Sequence, residues 1–301
     1  MSEQQRADLD ATLRQAPFDL NGDLASLRSG FEEVMRHIPI PDDVRRTDID
    51  LRGVGAVEVS IGGADSSNVI LYFHGGVYVI GSAGATVPLA ADLARRTNAK
   101  VVSVDYRLAP EHPYPAAVED ARTAYEGLLS QGVEPSGIAF SGESAGGGLV
   151  VALLLALRDA DRPMPSSAFL MSPYADLTLS GRTIADKQDV DPLFTGEILR
   201  MRVGDYVGDA NPSDPFISPV FGDLRGLPPV LIQVGSHELL LSDAIRLAGR
   251  AAEADVAITL DVVPGVPHVF QGYAALLDEG DTALNRAAEF LNEHFASTSR
   301  S

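Results

Sequence analysis

The chain's 301 residues are 45% hydrophobic and 22% charged, a balance that excludes intrinsic disorder and suits one large domain or two small ones. Against 23 basic side chains stand 42 acidic ones, a net charge of −19 that repels nucleic-acid phosphates and anionic membrane surfaces. No cysteine is present, which removes disulfides, thiolate metal sites and cysteine nucleophiles.

Residues Met1 to Asp8 are polar and lack the apolar centre of a signal peptide, so a cytoplasmic protein is expected. Leu9 and Leu13 suggest a short amphipathic helix. Leu24, Leu27, Phe31, Val34 and Ile38, spaced 3, 4, 3, 4, draw one apolar stripe on a second helix, with Asn21 or Asp23 as its cap and Pro41 beyond its end. These helices cover either a core or a site. From Thr47 the pattern alternates: Asp48–Leu51 and Val57–Ile61 read as strands joined by a Gly53-Val54-Gly55 turn.

Short apolar runs follow at 69–73, 101–104, 138–140, 168–171, 230–234 and 258–263. Helical stretches lie near 85–97, 115–130, 145–159, 241–254 and 281–296. The third of these holds the longest apolar run, Leu149 to Leu157, far below the roughly 20 residues of a membrane span. Buried strands alternating with helices imply an α/β fold with a mostly parallel sheet covered on both faces. Between Asp176 and Leu227 the rhythm breaks into a polar excursion with one helix, near Thr195–Tyr206. A connection this long is usually functional, and with the N-terminal helices it is a candidate lid.

Gly142-Glu143-Ser144-Ala145-Gly146 sits between a strand and a helix. That is the setting of a G-x-S-x-G nucleophile elbow, in which strained backbone projects the serine hydroxyl from the sheet. A phosphate loop is the competing reading, but no Lys-Ser/Thr pair follows. A serine needs a base. In this arrangement the order is Ser, acid, His, and His268 in the loop after the last strand is the expected base. The acid is Glu238, directly after the strand 230–234, or Asp243, one turn later; position favours Glu238. Glycines in Leu71-Tyr72-Phe73-His74-Gly75-Gly76-Val77-Tyr78 suit an oxyanion loop. Gly75, Gly76 and Ala145 are its expected N–H donors. His237-Glu238 is not a zinc motif, and no metal is expected.

Three blocks together resemble the hormone-sensitive-lipase-like branch of α/β-hydrolases, the bacterial class IV esterases. They are His74-Gly75-Gly76, then Asp105-Tyr106-Arg107-Leu108-Ala109-Pro110-Glu111-His112-Pro113-Tyr114-Pro115-Ala116-Ala117, then Gly142-Glu143-Ser144-Ala145-Gly146-Gly147. The resemblance runs from about residue 40 to the C-terminus. It implies an α/β-hydrolase fold whose eight-stranded sheet has one antiparallel pair. It implies a cap from 1–45 and 176–212 over a catalytic domain of 46–175 and 213–301. It also implies hydrolysis of small esters without a cofactor, with His74 and His112 structural. Val77, Glu143 and Glu238 stand where the family more often has Gly, Asp and Asp.

The expected function is therefore a serine carboxylesterase acting on small-molecule esters with short acyl chains. Lactonase or amidase chemistry would use the same residues, and a receptor on the same fold is a further alternative. Homodimerisation is expected at the sheet edge Ile258–Val263.

Overall fold

The structure is a computed structural model that describes residues 3–15, 22–62 and 66–295. Asn21 and residue 296, the expected end of the last helix, lie outside the described residues. The strands are β1 (Val44–Leu51), β2 (Val54–Ile61), β3 (Val69–Phe73), β4 (Lys100–Val104), β5 (Ile138–Glu143), β6 (Ser167–Met171), β7 (Val230–Gly235) and β8 (Ile258–Val263). The helices are α1 (Glu3–Leu13), α2 (Leu24–Arg36), α3 (Val87–Thr97), α4 (Ala116–Ser130), α5 (Ala145–Asp159), α6 (Thr183–Asp186), α7 (Gly196–Val207), α8 (Leu241–Glu253) and α9 (Asp278–His294).

The eight strands form one sheet in the order β1-β2-β4-β3-β5-β6-β7-β8. From β4 to β8 all pairings are parallel, while β2 runs antiparallel to both β1 and β4. One reversed strand thus gives two antiparallel pairings rather than the single pair expected. The first hairpin also turns earlier than the glycine spacing suggests. Leu51 pairs with Val54, so the turn is Arg52-Gly53, both at positive φ (60° and 94°). That conformation matches the twist of a two-residue hairpin. Gly55 lies inside β2, where its carbonyl accepts the Asp105 N–H at 2.9 Å.

Asp23 caps α2 through Ser26 N–H, as its short acceptor side chain suits. Of the predicted stripe, Leu27 is buried, Phe31 is half-buried, and Ile38 falls beyond the helix. Helices α3 and α9 pack on one face of the sheet and α4, α5 and α8 on the other. The core between them includes Leu71, Phe73, Phe140, Leu149, Leu153 and Ile232. Helix α5 is the centre of the second layer, buried at all but a few positions. Each fully buried Leu or Val there contributes about 1.5–3 kcal/mol, which offsets the ~0.5–1 kcal/mol lost at each glycine of its first turn.

Those glycines are required by close approach. A Cβ at Gly146 would lie 1.9 Å from the Phe73 carbonyl oxygen, and one at Gly148 would lie 2.1 Å from that of Tyr174. β3, β5 and α5 therefore meet almost backbone to backbone, directly beneath Ser144. β8 closes the sheet as its edge strand, with Val262 exposed. Among the described residues no helix is long and apolar enough to cross a membrane.

Candidate active site

Ser144 joins β5 to α5 with φ 54° and ψ −119°, outside the regions favoured by residues with a side chain. Holding such a conformation costs on the order of 1–3 kcal/mol and needs support from its surroundings. Three backbone bonds supply it. Ser144 N–H donates to Met171 O at 2.9 Å, and Ser144 O accepts from Tyr174 N–H at 2.8 Å and Gly148 N–H at 3.1 Å. Ser144 and His268 both line a cavity of about 270 Å³ at the carboxyl ends of the strands.

His268 lies in the loop after β8, and its Nδ1 is 2.6 Å from Glu238 Oε2. The other Glu238 oxygen accepts Ser172 Oγ–H at 2.8 Å and Gly235 N–H at 2.7 Å. Ser172 Oγ in turn accepts Val269 N–H at 3.1 Å, tying the acid's support to the residue after His268. His268 Nε2 is buried and has no hydrogen-bond partner among the described residues. Burial disfavours the imidazolium, but Glu238, Asp191 and Glu143 outweigh it and the imidazole pKa is raised.

Asp243, the alternative acid, stands elsewhere. Its Oδ2 accepts the N–H groups of Ala175 and Asp176 at 3.0 and 2.9 Å, and burial beside Asp176 pushes its pKa well up. It braces the chain after β6 and has no contact with His268 among the described residues.

In the loop expected to hold an oxyanion, one N–H is already engaged. Gly75 N–H is taken by Glu143 Oε1 at 2.8 Å, so it does not face the cavity. The next two N–H groups, of Gly76 and Val77, make no hydrogen bond among the described residues. Ala145 N–H opens α5, where first-turn donors have no intrahelical partner. The available set is therefore Gly76, Val77 and Ala145.

Glu143 also accepts a short hydrogen bond from Tyr72 Oη, and burial raises its pKa to about 7. His74 Nδ1 is 2.7 Å from Gly75 O, and its ring stacks on Tyr106 at 4.2 Å. Burial holds its pKa down to about 4. It supports the loop from behind.

The 105–117 block acts as a platform. Tyr106 Oη donates to His74 O at 2.7 Å, and Asp105 accepts Ala83 N–H at 2.6 Å. Arg28 of α2 donates to Ala109 O and to both Glu111 carboxylate oxygens, each at 2.8 Å. Tyr114 N–H donates to Tyr206 O of α7 at 2.9 Å. Both segments expected to form a lid thus rest on this block.

The cavity wall is apolar. It is formed by Phe31, Met35 and Ile38 on one side and by Leu193, Phe194 and Tyr273 on another. Phe194 meets the His268 ring edge-to-face at 5.1 Å and 83°. Among the described residues no cluster of His, Asp and Glu could hold a metal ion. Ser172, Asp191, Arg28 and Tyr72 were not singled out from the sequence. Only Ser172-Pro173 and Asp191-Pro192, polar residues entering turns after buried or helical stretches, offered a signal.

Comparison with known proteins places these features in context. Residues 70–272 match a protein family described as alpha/beta hydrolase fold. An esterase from Acinetobacter venetianus is 40% identical over 283 residues, 94% of this chain and 93% of that protein. An acetyl-hydrolase from Streptomyces hygroscopicus is 42% identical over 222 residues, 74% of each. The crystal structure of an esterase from the bacterial hormone-sensitive lipase family superposes with a TM-score of 0.94 at 38% identity, covering 98% of this chain and 100% of that one.

Proposed function

The chain belongs to the alpha/beta hydrolase fold family, in its hormone-sensitive-lipase-like esterase branch, and from that premise we propose that it is a carboxylic ester hydrolase using Ser144, His268 and Glu238 on small esters with short acyl chains. The observation that carries this assignment is the two-ended environment of His268. Its Nδ1 is held by Glu238 at 2.6 Å, while Nε2 has no partner among the described residues and the ring lines the same cavity as Ser144. That tautomer leaves Nε2 as acceptor for the serine proton.

Ser144 Oγ attacks the ester carbonyl carbon as His268 Nε2 takes its proton. Glu238 stabilises the imidazolium that forms. The carbonyl oxygen becomes an oxyanion facing the N–H groups of Gly76, Val77 and Ala145. Each such donor is worth about 10²–10³ in turnover in related chemistry. The tetrahedral centre collapses by breaking the bond to the alcohol oxygen, which receives the proton from His268 and departs. Water then repeats the sequence on the acyl-enzyme and releases the acid. The apolar wall of the cavity favours neutral, hydrocarbon-bearing esters.

Residues 1–45 and 176–212 act as a cap over the catalytic domain formed by 46–175 and 213–301, a division supported by the way Arg28 and Tyr206 dock on the 105–117 block. The test is Ser144→Ala assayed with p-nitrophenyl acetate and butyrate, beside labelling by a fluorophosphonate. Loss of turnover and of labelling is expected. Wild-type turnover in the variant would overturn the assignment.

A further inference from the structure

One buried carboxylate beside the site has no part in the chemistry described above. Asp191 is 4% exposed and lies in the segment between α6 and α7. Its Oδ1 accepts Leu193 N–H at 2.8 Å and Phe194 N–H at 2.9 Å. Its Oδ2 reaches across to Leu239 N–H, also at 2.8 Å. Leu239 directly follows Glu238. Its carbonyl is held by Thr183 Oγ–H, at the start of α6, at 2.6 Å. Leu239 is therefore held at both its N–H and its carbonyl, one on each flanking peptide unit, by residues more than 40 positions upstream.

We infer that Asp191 is a positioning residue of the active site, tying the turn that carries Glu238 to the loop that sets Phe194 against the His268 ring. The inference rests on the proposed roles of Ser144, His268 and Glu238. A carboxylate this buried is costly unless its lone pairs are filled, and three N–H donors at normal distance fill them. Those donors come from the two loops that flank the imidazole. Asx-type bonding to Leu193 and Phe194 fixes the loop conformation. The bond to Leu239 then fixes where that loop stands relative to Glu238. Phe194, so placed, covers the imidazole and lines the cavity.

Charge supplies a second contribution. Three carboxylates favour the His268 imidazolium: Glu238 from the β7–α8 turn, Asp191 from the α6–α7 loop and Glu143 from the elbow. During attack His268 becomes an imidazolium as it takes the Ser144 proton, so a negative Asp191 stabilises the charge that develops. A purely structural clamp would lack this effect.

The experiment compares Asp191→Asn, Thr183→Val and Phe194→Leu in the full chain, with kcat, KM and Tm measured for p-nitrophenyl butyrate across the imidazole titration range. In the Asp191→Asn variant the side-chain carbonyl still accepts from Leu193 and Phe194, but the new NH2 group opposes the Leu239 N–H. A drop in kcat of about ten- to a hundredfold is expected, the size of losing one charged hydrogen bond, with a smaller change in KM. The acidic limb of kcat/KM should also move to lower pH. Thr183→Val, which removes the uncharged grip on Leu239, should lower Tm without moving that limb. Phe194→Leu should raise KM more than it lowers kcat.

An Asp191→Asn enzyme with wild-type kcat and an unmoved limb would overturn the inference. So would a limb shift of equal size in Thr183→Val. If Ser144→Ala retained turnover, the catalytic assignment itself would fail, which is a distinguishable result.

Discussion

The Nδ1 atom of His268 lies 2.6 Å from Glu238 Oε2, although Glu238 carries one methylene more than the Asp common in this family. The turn accommodates the extra length because Glu238 Oε1 is anchored on Gly235 N–H and Ser172 Oγ–H. Glu238→Gln should reduce kcat by about 10³–10⁴ through the wrong imidazole tautomer. Asp243→Asn should leave kcat near wild type, since its amide oxygen can still accept from Ala175 and Asp176. Asp243→Ala leaves those two N–H groups unpartnered and should destabilise the fold by ~1–3 kcal/mol. Steady-state kinetics beside thermal melts separates the two acids. A selective kcat loss in Asp243→Asn would reverse the assignment.

Activity should fall on the acid side as His268 becomes protonated, because the imidazolium cannot accept the serine proton. The neighbouring carboxylates raise this pKa, so the midpoint of kcat/KM should lie above the ordinary imidazole value of about 6.5. A pH profile with its midpoint below that value would contradict the charge arrangement around the ring.

Glu143 gives a stability signature of opposite dependence to an ordinary surface acid. Its folded pKa is raised to about 7 by burial, against an unfolded value of about 4.3. The folded state therefore holds this proton more tightly than the unfolded chain. Its contribution is complete below the unfolded value and is lost as pH rises through 7. Glu143→Gln, neutral throughout, should gain Tm relative to wild type across that window. His74, held down to about 4, loses stability in the other direction as pH falls, but it is common to both proteins and cancels in the difference. A constant Tm gap between pH 4 and pH 7 would show that Glu143 does not titrate this way.

Val77 occupies the third position of the proposed oxyanion loop at φ 48°. A branched side chain there stores roughly 1–2 kcal/mol, while its burial against the cavity returns a similar amount. Val77→Gly should therefore change stability by less than about 1 kcal/mol once the greater freedom of unfolded glycine is included. It should raise kcat/KM for bulky acyl groups relative to acetate, because the wall recedes. Melting curves and an acyl-length series provide the check.

The strands and the elbow were legible because burial imposes a pattern: β3, β5, β6 and β7 are buried almost throughout and each carries a short apolar run, and only glycine fits where β5 meets α5. Ser144, His268 and both acids were legible as positions. Position after β7 favours Glu238 over Asp243, and side-chain direction separates them further: Glu238 reaches His268, whereas Asp243 reaches Ala175 and Asp176. For a related reason the free donors of the Gly75-Gly76 pair are not legible, the Gly75 N–H being taken by Glu143. A Gly-Gly pair announces backbone freedom, but not which N–H Glu143 captures. The turns entered at Asp191 and Ser172 leave a trace in the sequence, but their contacts do not, because the partners lie 48 and 66 residues away. The Arg52-Gly53 turn was missed because Gly55 imitated the end of a turn while lying inside a strand.

The two halves of the proposed cap are fastened by different chemistry. Helix α2 hangs on Arg28, whose guanidinium forks onto Glu111, a carboxylate with 55% of its side chain exposed. The α6–α7 loop hangs on Asp191, sealed from solvent. Mobile ions screen exposed charges to within about 3 Å at molar salt but do not enter a buried hydrogen-bonded carboxylate. Molar salt should therefore weaken the Arg28–Glu111 pair on the side of Phe31 and Met35, leaving Arg28 on the Val79 and Ala109 carbonyls, while the buried bonds of Asp191 beside the imidazole stay intact.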